Sequence, residues 1–262
     1  VDLAESFSEE AFRINDFGSE CLAKACNELN IPLVHFSTDY VFDGMKELPY
    51  VPKDHTNPLN VYGKSKLAGE HSIQNNCDNY LIIRSSWLYS QHGTNFLKTM
   101  LRLGNRDQAL EIISDQIGSP TSAVDLAKSV ISILPIIQST DFSSGIYHCA
   151  GNQTLSWSKF AEEIFYFMHA NGLIKNIPMI LPILSSDYPS EAKRPMFSAL
   201  DSSIFLTEFN IDPLENSKAI EQACMILKNS NDWASYPYYS MQGWSSRTAE
   251  PSAKNNHMEG CS

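Results

Sequence analysis

Short apolar runs alternating with amphipathic helical segments constrain this chain more than any other feature of its 262 residues. From about Glu9 to Leu29, Ala11, Phe12, Ile14, Leu22, Ala25 and Cys26 recur at helical spacing, which predicts a helix. Ile31-Pro32-Leu33-Val34-His35-Phe36 follows as an apolar run ending in Ser37-Thr38-Asp39, the pattern of a buried parallel strand. The same rhythm continues downstream. A Pro/Gly/Asp-rich excursion over 43–58 precedes a predicted helix over 61–74, and Tyr80-Leu81-Ile82-Ile83-Arg84 reads as a second strand. Thr94 is placed to cap a helix running through Leu103, Ala109 to Ser114 reads as a strand, Ser122 to Leu134 as a helix and Gly145 to Cys149 as a strand. A further helix is predicted over 156–168 with Ser156 as its cap. Such alternation means an α/β fold with a mostly parallel sheet, whose ligands bind beyond the carboxyl ends of the strands. Two of those ends are Ser37-Thr38-Asp39 and Ser85-Ser86-Trp87.

Chemistry concentrates on Tyr62 and Lys66, four residues apart on a predicted helix and therefore on one face. A phenol titrates near 10, too high to ionise at neutral pH, and an adjacent ammonium stabilises the phenolate, so the pair predicts an acidified tyrosine. Taken alone, Tyr-x-x-x-Lys equally describes two surface neighbours. Its surroundings are more specific: Ser37-Thr38-Asp39-Tyr40-Val41-Phe42-Asp43-Gly44 upstream, and Pro58-Leu59-Asn60-Val61-Tyr62-Gly63-Lys64-Ser65-Lys66 around the pair. Together these segments resemble the extended short-chain dehydrogenase/reductase family, in which a Ser or Thr at a strand end, a Tyr and a Lys form the catalytic set.

Three more segments narrow the resemblance to the dTDP-4-dehydrorhamnose reductase branch: Arg84-Ser85-Ser86-Trp87-Leu88-Tyr89, Asp115-Gln116-Ile117-Gly118-Ser119-Pro120-Thr121, and Arg194-Pro195 followed by Ser198-Ala199-Leu200-Asp201. The resemblance implies NADPH-dependent reduction of the C4 ketone of dTDP-4-dehydro-L-rhamnose to dTDP-L-rhamnose. Thr38, Tyr62 and Lys66 would be the catalytic set, with Tyr62 and Lys66 also meeting the cofactor. Asp39, Tyr40, Trp87, Asn95 and Arg194 would face the dTDP-sugar. A core tryptophan, a turn-forming Asp39 and an Arg194 that braces a loop would leave the same sequence trace. A related nucleotide-sugar epimerase or dehydratase, and a non-catalytic subunit like the regulatory β subunit of methionine adenosyltransferase, share the strand-end and Tyr/Lys motifs.

By the same resemblance, residues 1–90 and 116–150 would form a Rossmann-like, mostly parallel sheet lacking its first strands. Residues 91–115 and 151–228 would form a smaller C-terminal substrate-binding lobe. No GxGxxG or GxxGxxG turn occurs in the sequence, which leads to the expectation of an N-terminally truncated chain. NADH therefore stays open beside NADPH, as do a homodimer and a structural Mg²⁺. Residues 229–262 have few aliphatic side chains, which predicts a disordered or peripheral tail.

Composition enters as an exclusion. A net charge of −11 repels nucleic acid and anionic membrane, so phosphate-bearing ligands must meet a local cation or backbone N–H groups. No run approaches the roughly 18 apolar residues a membrane span needs, so a cytoplasmic protein is expected. Six cysteines without a CxxC pair argue for free thiols rather than metal ligation. His148, inside a strand candidate, reads as a structural histidine.

Overall fold

The computed structural model describes residues 1–105, 108–138, 144–188 and 190–230. The first predicted helix is a bent helical arm: α1 (Asp2–Ser6), α2 (Ser8–Phe12), a π-helical turn (Arg13–Phe17) and α3 (Gly18–Glu28). Strand β1 (Leu33–Thr38) starts two residues later than its apolar run, because Pro32 has no N–H for the ladder. It also runs further, since Ser37 and Thr38 pair with Arg84 and Ser85. Helix α4 (Val61–Asn76) begins where Asn60 Oδ1 accepts the Gly63 N–H at 2.7 Å, an N-cap that satisfies one otherwise orphaned donor.

β2 (Tyr80–Ser85) pairs in parallel with β1 on one side and with β7 (Gly145–His148) on the other, so the central sheet has the order β1-β2-β7. The two-residue strands β3 (Leu88–Tyr89), β5 (Ile117–Gly118), β6 (Thr121–Ser122) and β8 (Leu155–Ser156) surround its carboxyl end. β4 (Leu110–Ile113) pairs in parallel with β9 (Ile180–Ile183) at a distance from the sheet. Among the described residues, four strand pairings are parallel and the pairing of β5 with β8 is antiparallel. The expected mostly parallel α/β architecture is present.

The remaining helices are α5 (Phe96–Gly104), α6 (Ala123–Ile137), α7 (Trp157–Ala170), α8 (Ser203–Glu208) and α9 (Asn216–Ser230), with β7 (Gly145–His148) between α6 and α7. Ser156 caps α7 as expected, accepting from Lys159 N at 3.2 Å. Asn95, not Thr94, caps α5. α6 passes Leu134 and ends at Ile137; Pro135 lies in its last turn, where losing one backbone bond is tolerable.

Two large apolar clusters hold these elements. One packs Leu97, Met100 and Leu101 of α5 against Phe160, Ile164 and Phe165 of α7 and Ile220 and Leu227 of α9. The other joins Leu81 and Ile83 of β2, Leu126 and Ile133 of α6, Tyr147 of β7 and Phe205 of α8. α9 reaches Ser230, two residues into the segment expected to be a tail, and residues 231–262 lie outside the described residues. Among the described residues no helix is long and apolar enough to cross a membrane.

Candidate active site

β1 ends at Thr38 and the chain turns at once through a short 3₁₀ segment, Asp39–Val41, beneath the first turn of α4. That approach requires a glycine. A Cβ on Gly63 would lie 2.2 Å from the Tyr40 carbonyl oxygen, so the helix carrying Tyr62 can press on the strand end only without a side chain there. The Asn60 amide also donates to the Lys193 carbonyl at 2.9 Å, tying the start of α4 to the loop that carries Arg194.

The Thr38 hydroxyl is the hub. It donates to Asp39 Oδ1 at 3.1 Å and accepts the Tyr40 N–H at 3.1 Å, on the turn against which Tyr62 packs. Asp39 is 3% exposed, and its Oδ2 has no hydrogen-bond partner. Burial pushes its carboxyl up to about 7, against the pull of the Ser198 and Thr38 hydroxyls. The Tyr40 ring meets Tyr62 edge-on with centroids 6.0 Å apart. Burial, with the Asp39 charge second, raises the Tyr40 phenol above its ordinary range.

Tyr62 corrects an expectation. Its phenol is raised, not acidified: burial is the main cause, the Asp39 carboxylate adds to it, and the Thr38 hydrogen bond pulls the other way. Lys66 is engaged elsewhere, donating to the Phe36 carbonyl at 2.7 Å and lying 3.2 Å from His35 Nε2. Burial lowers the Lys66 ammonium, and burial with the Lys66 charge lowers His35 to about 4, so the imidazole faces Lys66 in its neutral form. Tyr62 thus sits against the turn that follows Thr38, while Lys66 anchors one turn further along α4, against the strand two residues before Thr38.

Arg194 reaches the same cluster but is already paired. It donates to Asp2 Oδ2 at 2.7 Å and to the Ala192 carbonyl at 3.2 Å, and it hydrogen-bonds Tyr40. A cleft of about 730 Å³ opens beside it, lined among others by Asp43, Gly44, Gln116, Lys193 and Met196; neither Tyr62 nor Lys66 lines it. Trp87 lies apart. It holds a left-handed φ of +47°, stacks on Trp157 with centroids 3.5 Å apart and planes 3° apart, and packs where a Cβ on Gly118 would meet it at 2.4 Å. Asn95 is 7% exposed and spent on capping: its amide donates to the Ser90 and His92 carbonyls, and its oxygen accepts from Lys98 N.

Sequence reasoning passed over Glu70 and Ser198. Glu70, two turns beyond Tyr62 on α4 and fully buried, takes the Ser37 hydroxyl and a bidentate Arg84 with Nη2 at 2.6 Å, which locks the helix to β1 and β2. Its i+8 spacing from Tyr62 was the available signal. Ser198 arrives from far along the chain; it lies in the Ser198-Ala199-Leu200-Asp201 segment that narrowed the resemblance, which was its signal. His148 is structural as expected, with Nδ1 2.9 Å from the Tyr50 carbonyl oxygen and its pKa pushed to about 3, by burial first and the Arg84 charge next.

A parallel sheet with a helical tyrosine seated at a strand's carboxyl end and a lysine one turn on agrees with the resemblance to the extended short-chain dehydrogenases/reductases. Within it the chain belongs to the family described as the RmlD substrate binding domain, whose model matches residues 1–228. It is 42% identical over 204 residues to the dTDP-4-dehydrorhamnose reductase of Sinorhizobium fredii, covering 76% of this chain and 68% of that one. A solved dTDP-4-dehydrorhamnose reductase from Clostridium acetobutylicum superposes with a TM-score of 0.79 at 34% identity, covering 87% of this chain and 77% of that one. The Bacillus anthracis enzyme, solved in complex with NADP, gives 0.75 at 33% identity, covering 85% and 75%.

Proposed function

We infer that this chain catalyses the NADPH-dependent reduction of dTDP-4-dehydro-L-rhamnose at its C4 ketone, giving dTDP-L-rhamnose. Membership of the family and the reductases that match it, one of them solved with NADP, support the activity and the cofactor. The observation that carries the chemistry is the seat of the first turn of α4 on the carboxyl end of β1, which sets Tyr62 against the Thr38-Asp39-Tyr40 turn. The donor set fits the nicotinamide end of the cofactor: a phenol and a buried ammonium on one helical face suit ribose hydroxyls. NADPH supplies the hydride.

Tyr62 and Thr38 would hydrogen-bond the ketone oxygen, and Tyr62 would give its proton as the oxygen becomes an alkoxide. A raised phenol suits this direction of reaction. Tyr62 stays loaded with its proton at neutral pH, and an alkoxide is a far stronger base than a phenolate, so the transfer remains downhill. Lys66 would hold the ribose from its anchor on Phe36. Asp39, Tyr40, Trp87, Asn95 and Arg194 would face the sugar nucleotide, Asn95 from the cap that fixes the start of α5. We place the cofactor side on residues 1–90 and 116–150 and the substrate lobe on 91–115 and 151–228. A cytoplasmic location fits a biosynthetic enzyme of nucleotide sugars, and a homodimer is the assembly to test by sedimentation.

Following NADPH oxidation with dTDP-4-dehydrorhamnose tests this reading. Tyr62→Phe removes the general acid and is expected to cut kcat by about 10²- to 10⁴-fold with an unchanged circular dichroism spectrum. Turnover equal to that of the parent would reject Tyr62 as the acid.

A further inference from the structure

We propose that His35 is a positioning residue which, together with the Phe36 carbonyl, clamps the Lys66 ammonium and leaves it a single, fixed N–H to meet a ribose hydroxyl of the cofactor. The inference rests on the reductase reading and deepens it. Its basis is the count of donors at Lys66. An ammonium has three protons to give and no lone pair to receive. The Phe36 carbonyl takes one at 2.7 Å, and His35 Nε2, 3.2 Å from Lys66 Nζ, takes a second. Among the described residues no third acceptor claims the proton that remains. One acceptor alone would let the nitrogen swing about that oxygen on its flexible four-carbon stem. Two acceptors from neighbouring residues of β1 fix both where the nitrogen sits and where its last N–H points.

The ring can accept only with Nε2 bare and its proton on Nδ1, since a protonated Nε2 would set donor against donor. Burial first and the Lys66 charge second push the His35 pKa down to about 4, which keeps the ring uncharged at neutral pH. The charge that bears on His35 is the Lys66 ammonium from α4; Glu70, itself paired with Arg84 of β2, is the carboxylate that bears on Lys66. Ser37, the next residue on the same face of β1, gives its hydroxyl to Glu70. The strand therefore grips α4 at two successive turns, His35 at Lys66 and Ser37 at Glu70. The grip at Glu70 closes a buried ion pair, whereas the grip at Lys66 leaves a donor to spare. His148 marks the contrast, since its ring turns to a backbone carbonyl and meets no side-chain cation at hydrogen-bond distance.

The test joins ring spectroscopy to kinetics on the full 262-residue chain. With nitrogen-labelled histidine, the His35 ring resonances are assigned by their loss in His35→Gln. At pH 7 they are expected to show a protonated Nδ1 and a bare Nε2, and Lys66→Met should shift the Nε2 signal by removing its donor. A protonated Nε2, or an Nε2 signal indifferent to Lys66→Met, would overturn the proposal. In turnover, His35→Phe keeps the bulk of the ring without an acceptor. It should raise KM for NADPH about tenfold, with kcat and the KM for the sugar nucleotide within about threefold of the parent. His35→Gln, whose amide oxygen can take the place of Nε2, should bring KM for NADPH back to within about threefold of the parent. An unchanged KM in His35→Phe, or an equal rise in both variants, would leave His35 a packing residue and end the idea. If the parent chain oxidises no NADPH, the reductase reading fails, while the ring nitrogens still decide the clamp.

Discussion

At the scale of single residues, Asp39 governs how the site responds to pH. Its folded pKa near 7 lies above the ordinary carboxylate value of 3.8, so the folded state prefers the protonated acid. The sign follows by linkage: its stabilising contribution is full below the unfolded pKa and is lost as pH rises through about 7. Asp39→Asn, which keeps the shape and cannot ionise, is therefore expected to be more stable than the parent at pH 8, by an amount on the order of a few kcal/mol. The difference should shrink as pH falls toward 5, and urea midpoints at the two pH values measure it. Tyr62 and Lys66 were readable as one helical face through their spacing, whereas Thr38 joined them only through the family resemblance. The direction of the phenol's shift was not, since it depends on burial and on where the Lys66 ammonium goes, and the Phe36 carbonyl that claims it is visible only in three dimensions.

At the scale of elements, the seat of α4 on the strand-end turn is the sensitive joint. Gly63→Ala places a methyl 2.2 Å from the Tyr40 carbonyl oxygen, and because that neighbour is backbone the helix itself must shift. The expected cost is about 1–3 kcal/mol of stability, with kcat falling further than stability explains; thermal melts and turnover measured together check it. The sequence revealed β2, β7 and α7 to within two residues, from apolar runs and, for α7, the Ser156 cap, whereas α4 was read over 61–74 without its Asn60 cap. Strands β3, β5, β6 and β8 are two residues long, too short for any period, and exist because loops meet at the end of the sheet. β9 carries Pro182, which masks a strand to propensity reasoning although the segment pairs with β4 throughout.

At the scale of the whole molecule, the two apolar clusters divide the work. Ile220 of α9 is fully buried in the cluster with α5 and α7, and Ile220→Ala is expected to cost about 2–5 kcal/mol. Hydrogen exchange should then accelerate in α5, α7 and α9 before β1 and β2, as local openings follow the cluster that was weakened. Uniform acceleration would mean that the clusters open as one unit. The near-coplanar pair formed by Trp87, just beyond β2, and Trp157, at the start of α7, packs against the first of these clusters and supplies an optical gauge of where α7 meets the end of β2. Two indoles held face to face share their excited states, so the protein should display a split ultraviolet dichroism band that vanishes in Trp157→Phe and dims whenever the helical bundle swings away from the sheet.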